Sequence, residues 1–141
     1  MKKILPVVLA VITGCTCAFI LFKKVEKETI LETPENAVAI QIGVFTKKEN
    51  AIAMSENYGG LVLEDEGVYR VYYSVLSKSD NIDFITNYLK NNGINYYIKK
   101  ITLSDETLDK LSEYEELMEK TKDTAKITVN KELLKIYEEV I

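Results

Sequence analysis

The fold of this chain is decided by the stretch from Ala37 to Ala51, which reads A-V-A-I-Q-I-G-V-F-T-K-K-E-N-A. Its first half alternates with a period of two, which predicts a strand with one apolar face. That face carries Val38, Ile40, Ile42 and Val44, and the opposite face carries Ala39, Gln41 and Gly43. In the second half, Thr46 and Glu49 have the spacing of a capping box, so a helix should follow the strand directly.

Part of this stretch is echoed further along the chain. The segment G-V-F-T-K-K-E-N at positions 43–50 resembles S-V-L-S-K-S-D-N at positions 74–81, about one supersecondary unit later. The echo predicts that the chain contains two related halves. Ser77 and Asp80 then repeat the capping box and should start a second helix.

Turn signals complete the pattern of strands and helices. Gly59-Gly60 and Asn91-Asn92-Gly93 are typical of helix ends, and Asp65-Glu66-Gly67 is typical of a hairpin. The other strands are predicted over 61–64, 68–75 and 95–102. With right-handed crossovers this order gives an α+β fold, a four-stranded antiparallel sheet with two helices on one face (βαββαβ, ferredoxin/RNP-like). We expect the first and third strands at its centre and the opposite face bare.

The predicted bare face carries the candidate binding residues. A lone buried guanidinium is costly, so Arg70 should point outward, and superposing the repeat makes Gln41 equivalent to Tyr72. Gln41, Arg70 and Tyr72 should therefore meet at the middle of this face. Tyr97 and Lys99 share a parity on the last strand and would join them, with Tyr96 as the competing choice. Such residues suit a polar ligand with stacking faces, such as a sugar chain, although an ordinary solvated sheet explains them equally well.

The N-terminal segment, residues 1–24, is predicted to be a single transmembrane anchor. Its uncharged run from Ile4 to Phe22 would form a helix of about 28 Å, close to the thickness of the hydrocarbon core of a bilayer. Two alternatives stay open: a cleaved secretory signal, and a lipoprotein signal with an acylated Cys15. Lysines flank the run on both sides, so charge leaves the orientation open. Residues 25–36 are predicted to be a short juxtamembrane tether.

The C-terminal part, residues 104–141, is predicted to be an acidic helical extension to a domain at 37–103. Two apolar stripes at helical spacing indicate two helices. The stripes are Leu108, Leu111, Tyr114, Leu117 and Met118, then Leu133, Ile136, Tyr137 and Val140. We favour helices that pack on the domain or on each other; the alternative is a surface for a protein partner.

Composition excludes several classes of function. The net charge of -4 does not favour a nucleic-acid partner. The chain has no His, and its two Cys residues, Cys15 and Cys17, both lie in the apolar N-terminal run. A His-dependent catalytic triad and a thiolate metal site are therefore impossible in the rest of the chain. We predict no catalytic residues, no metal site and no cofactor.

The residues resemble a known family at two places. V-A-I-Q-I-G-V-F followed by E-N-A, and Y-R-V after a short hairpin, resemble the SPOR domain, the sporulation-related repeat of bacterial cell-division and cell-wall proteins. The resemblance covers about residues 37–102. It implies binding to peptidoglycan glycan strands that have lost their stem peptides. By this resemblance Gln41 is the strand-one glutamine implicated in glycan contact, and Arg70 is the strand-three arginine.

The function expected from these observations is glycan binding, not catalysis. The chain is predicted to be a single-pass protein of the cell membrane whose soluble domain lies outside the cytoplasm. There it would bind peptidoglycan at the division septum or the spore envelope, through Gln41, Arg70, Tyr72 and Tyr97. The alternative is a membrane-anchored protein-protein interaction module of a division or sporulation complex, with residues 104–141 as the docking element.

Overall fold

Four strands form the antiparallel sheet that the sequence predicts. The computed structural model describes residues 35–140. The strands are β1 (Ala37–Phe45), β2 (Leu61–Asp65), β3 (Val68–Leu76) and β4 (Tyr97–Ile101), and their order in the sheet is β2-β3-β1-β4. All three pairings are antiparallel. The α+β class and the central position of the first and third strands are therefore confirmed.

Four helices accompany the sheet. They are α1 (Lys48–Tyr58), α2 (Ser79–Asn91), α3 (Asp105–Lys120) and α4 (Asp123–Val140). Helix α1 packs against β1, β2 and β3, while α4 packs against α3, β3 and β2. The predicted anchor over 1–24 and all but the last two residues of the predicted tether lie outside the described residues. From residue 35 to residue 140, no helix has both the length and the apolar composition needed to cross a membrane.

The helix end predicted at Gly59-Gly60 and the hairpin predicted at Asp65-Glu66-Gly67 are both confirmed. Gly59 has a φ of 83° directly after α1, and its N–H donates to the carbonyl of Ser55. The β2–β3 hairpin turns through Glu66 and Gly67, with φ values of 51° and 79°. Two consecutive positive φ values are typical of a type I′ turn, whose twist matches that of the strands it joins.

Two bulges change which side chains face which way. Gln41 lies opposite Tyr72, but Gly43 lies opposite Val71, so Ile42 is an extra residue on β1. Val44 therefore faces away from α1 and is 46% exposed, although alternation predicted it on the core face. Gly43 takes the α1 side instead. A Cβ on Gly43 would lie 2.8 Å from the Sδ atom of Met54 in α1, so a larger residue has no room there.

The second bulge lies on β3. Ile40 pairs with Ser74 and Gln41 pairs with Tyr72, so Tyr73 has no direct partner on β1. Ser74 and Tyr72 consequently face opposite sides of the sheet, whereas strict alternation would place residues 72 and 74 on the same side. Strict alternation failed because each bulge inserts one residue and inverts the parity beyond it.

Neither predicted capping box forms. Helix α1 has Lys47 as its N-cap, and α2 has Lys78, and neither N-cap makes a side-chain hydrogen bond to its helix. At α1 the first turn is exposed, so water can satisfy the free N–H groups. Before α2, a carboxylate from α3 accepts from the N–H groups of the N-cap residue and of the residue that precedes it. The side chain of Glu115 takes the place that the sequence predicted for a local cap.

Glu115 fastens α3 to the start of α2. The Glu115 side chain is fully buried and accepts from the backbone N–H groups of Ser77 and Lys78, at 3.0 Å and 2.9 Å. It also accepts from the hydroxyl of Ser77 and from the amide of Asn81. A buried carboxylate is stable when several donors surround it, and a helix N-terminus favours negative charge. Glu115 is therefore a tertiary cap for α2.

Asn130 fastens α4 to the bulge in β3. It is 1% exposed; its amide nitrogen donates to the carbonyl of Tyr73 at 2.9 Å, and its amide oxygen accepts from the hydroxyl of Ser74. Tyr73 lies beyond the end of β2, whose last pairing is between Leu61 and Tyr72. The bulge leaves Tyr73 without an opposite residue on β1, and Asn130 donates a hydrogen bond to its carbonyl group.

Tyr73 also connects the sheet to α2, and this contact gives a testable pH dependence. Its ring stacks on Tyr88 with the centroids 6.3 Å apart. Burial raises the pKa of Tyr73 above its ordinary value of 10.0, and the charge and hydrogen bond of Tyr88 act in the same direction. The folded state therefore keeps the phenol proton at a pH where the unfolded chain loses it.

Tyr73→Phe should flatten the loss of stability at alkaline pH. The contribution of Tyr73 is complete below about pH 10, the unfolded pKa, and is lost as pH rises above it, by at most about 1.4 kcal/mol per pH unit. Urea unfolding of the parent and the variant at about pH 8, 9, 10 and 11, on both sides of the unfolded pKa, measures how steeply the stability of each falls with pH. Equal slopes above about pH 10 would contradict this assignment.

Candidate functional site

One row of residues crosses all four strands and contains three of the four predicted site residues. Gln41 on β1 lies opposite Tyr72 on β3 and opposite Tyr97 on β4, and Tyr72 lies opposite Leu61 on β2. Directly opposite residues share a face of the sheet. Arg70 lies two residues before Tyr72, in an unbroken part of β3, and so shares that face. The structure thus brings together the four residues that the sequence grouped.

Arg70 is held in place by two side chains. Its Nε atom donates to Oδ2 of Asp65 at 2.9 Å, and its Nη1 atom donates to Oε1 of Gln41 at 3.4 Å. The Arg70 and Asp65 side chains are 25% and 42% exposed, so the pair lies at the surface and adds little to stability. Its effect is to orient the guanidinium and to neutralise part of its charge.

Asp65 was missed because the sequence placed it in a hydrated turn. The signal was present in the hairpin itself. A two-residue turn at Glu66-Gly67 pairs Asp65 with Val68 and Leu63 with Arg70, so Asp65 is the diagonal neighbour of Arg70. Such neighbours are within reach of a long side chain.

The expectation of a bare face is wrong for three of the four residues of this row, since only Tyr97 is exposed. Tyr72 is 5% exposed, because Tyr137 of α4 packs against it with ring centroids 6.3 Å apart and an interplanar angle of 70°. Burial raises the pKa of Tyr137, and the nearby Tyr72 adds to the effect. On the same face, the buried residues Ala37, Ala39 and Val75 belong to one apolar cluster with residues of α3 and α4. Helix α4 contacts β3 and β2, and α3 contacts α4 and α2, so the apolar stripes of both helices are buried within the protein.

Another part of the face is exposed and forms a strip. Tyr97 is 64% exposed and Val44 is 46% exposed. Lys99, which shares the face of Tyr97 two residues along β4, is also exposed. We call Val44, Arg70, Tyr97 and Lys99 the exposed strip, and Gln41, which is 8% exposed, lies at its floor. Donors, an open aromatic ring and aliphatic surface are thus combined on one flat area.

The chemistry of the strip is that of recognition. Its side chains offer hydrogen bonds through Arg70 and Gln41 and a stacking surface through Tyr97. No group of three or more Cys, Asp or Glu side chains between residues 35 and 138 is arranged to hold a metal ion. A cavity of about 550 Å³ lies elsewhere, between the end of α1 and α4, and is lined in part by Tyr73, Tyr88 and Lys131. The predicted site residues do not line it.

Comparisons with known proteins give one similarity. No protein-family model matches the chain, and no curated protein matches it. The chain is similar to the solution structure of the peptidoglycan binding domain of the B. subtilis cell wall lytic enzyme CwlC. The identity is 28%, the match covers 47% of this chain and 90% of that chain, and the TM-score is 0.43. We therefore assign the fold from the strand order and register of this chain, and not from this similarity.

Proposed function

We propose that this chain is a membrane-anchored peptidoglycan-binding protein that recognises glycan strands without stem peptides. The ligand lies on the exposed strip. Arg70 and Gln41 hydrogen-bond its polar groups, and Tyr97 stacks on a sugar ring. The protein acts by binding, not by catalysis, at the division septum or the spore envelope.

The observation that carries the proposal is the hydrogen bond between Arg70 and Gln41 beside an open tyrosine. These residues come from three different strands, yet they converge on one exposed area. A glycan offers hydroxyl and amide groups around flat apolar ring faces, which matches directed donors beside an aromatic ring. Gln41 and Arg70 are also the two positions that the SPOR resemblance implies for glycan contact.

The apolar N-terminal run supports the membrane anchor, and the SPOR resemblance supports the compartment outside the cytoplasm. The apolar run over 4–22 is long enough for one span, and a tether of about 12 residues reaches at most about 40 Å. The strip therefore works close to the membrane, and the SPOR resemblance favours its outer side. A lipid anchor on Cys15 would place the strip in the same compartment.

The alternative, a protein-protein interaction module, finds less support. It requires residues 104–141 to offer apolar surface to a partner. Leu111 and Met118 of α3 and Leu133 of α4 are instead 0–3% exposed and pack inside the protein. Among the stripe residues from Leu108 to Tyr137, Leu117 alone is classed as exposed, at 52%, and a single side chain is not a docking surface.

Arg70→Ala and Gln41→Ala should each weaken glycan binding by about 10- to 100-fold. The loss corresponds to one hydrogen bond that involves a charged group. The full chain, purified in mild detergent, is sedimented with cell-wall sacculi that an amidase has stripped of stem peptides. The free protein is measured across a series of sacculus concentrations.

Lys100→Ala is the matched control. Lys100 is an exposed cation on β4, but it lies opposite Val38 and so faces the other side of the sheet from Tyr97. It should leave binding unchanged. If the parent protein ignores the stripped walls, glycan binding is refuted. If the parent binds and both variants bind equally well, the ligand lies on another surface.

A further inference from the structure

We infer that Tyr137 is a built-in cover that competes with the glycan for the Tyr72 side of the site. This inference rests on the proposed function and concerns the regulation of the same face. Its basis is a contrast within one row of residues, in which one tyrosine is exposed to solvent and the other is buried.

Two tyrosines flank Gln41 in this row, and they differ in exposure. Tyr97 and Tyr72 both lie opposite Gln41, one on β4 and one on β3. Neighbouring strands are about 4.8 Å apart, so the two tyrosines are separated by about 10 Å across the sheet. Tyr97 is 64% exposed and Tyr72 is 5% exposed. A ligand that stacks on Tyr97 and crosses Gln41 reaches Tyr72 next, and there it meets Tyr137.

The position of Tyr137 on α4 allows it to move without undocking the helix. Asn130 and Leu133 are 1% exposed and hold the middle of α4 against the rest of the protein. Tyr137 lies seven residues beyond Asn130, or about 10 Å along the helix. It is half-buried and meets Tyr72 edge to face. A change of side-chain rotamer, or opening of the last turn, is therefore enough to uncover Tyr72.

The cover should lower glycan affinity by a modest factor. An edge-to-face aromatic pair of this kind corresponds to about a 2- to 10-fold change in an equilibrium constant. A ligand that must first displace Tyr137 binds more weakly by that factor. Any event that holds Tyr137 away from the sheet would raise the affinity by the same factor.

Tyr137→Ala in the full chain should tighten binding to amidase-treated sacculi by about 2- to 10-fold. Tyr137→Phe keeps the ring over Tyr72 and should bind as the parent does. The gain should disappear when Tyr137→Ala is combined with Tyr72→Ala, because the uncovered ring is then absent. Thermal unfolding of each variant checks that it is folded.

A second measurement uses the parent protein alone. Soluble amidase-treated glycan chains should increase the rate at which tetranitromethane nitrates Tyr137, measured by peptide mass spectrometry. Tyr58, which is 49% exposed at the end of α1, should react at an unchanged rate. Binding by the parent without a gain in Tyr137→Ala, or with unchanged nitration of Tyr137, overturns the cover. Absence of binding in the parent and every variant overturns the proposed function itself.

Discussion

Glu115→Ala should lower the free energy of unfolding by about 3–5 kcal/mol, the cost of removing one partner from a buried charged network. The Glu115 side chain is 0% exposed and accepts from two backbone N–H groups, a hydroxyl and an amide. Without it, the N–H groups of Ser77 and Lys78 lose their acceptor at the start of α2. Urea unfolding, followed by far-ultraviolet circular dichroism, measures the loss.

The neighbouring residue provides the control. Glu116 is an exposed residue on the same helix, 4.0 Å from Lys120, and Glu116→Ala should change stability by less than about 0.5 kcal/mol. Glu115→Gln keeps the shape but replaces one acceptor by a donor that faces other donors. It should therefore be nearly as unstable as Glu115→Ala. If Glu115→Gln matches the parent, the carboxylate is not the cap of α2.

Asn130→Leu should lower the free energy of unfolding by about 2–4 kcal/mol. The substitution keeps the volume similar but leaves the carbonyl of Tyr73 and the hydroxyl of Ser74 without their partner in a buried place. Thr128→Leu, at an exposed position of the same helix, is the control and should have an effect below about 0.5 kcal/mol.

The Asn130 prediction has an internal check. Ser74→Ala removes one of the two partners, so its combination with Asn130→Leu should cost less than the sum of the two single substitutions. Additive effects would show that the Ser74 hydroxyl and the Asn130 amide act independently. A small effect of Asn130→Leu alone would show that α4 is held by its apolar contacts instead.

The candidate site could be predicted in part because it depends on local pattern. Gln41 and Arg70 were placed on one face from alternation and from the repeat, and β3 is regular between Val68 and Tyr72, where the repeat was used. Val44 and Ser74 were misplaced because each lies beyond a bulge. The bulge at Ile42 leaves no signal in the sequence, since Ile40, Ile42 and Val44 keep a period of two through it.

The contacts of the C-terminal helices could not be predicted for a different reason. Their apolar stripes showed that they must pack somewhere, but a stripe does not say which surface it meets. Glu115 lies between Leu111 and Met118 on the apolar stripe of α3, so its burial could be inferred, but the sequence does not show which donors it meets. Its donors lie 34–38 residues earlier in the sequence.

By itself, the sequence determined the strands, their order and the grouping of Gln41, Arg70, Tyr72 and Tyr97, because period, turns and crossover handedness act over short distances along the chain. Tertiary structure decided which of these residues meet the solvent. Tyr97 lies on an edge strand and is 64% exposed. Tyr72 is closed by Tyr137, which lies far away in the sequence and close in space because α4 needs an apolar surface to bury its own.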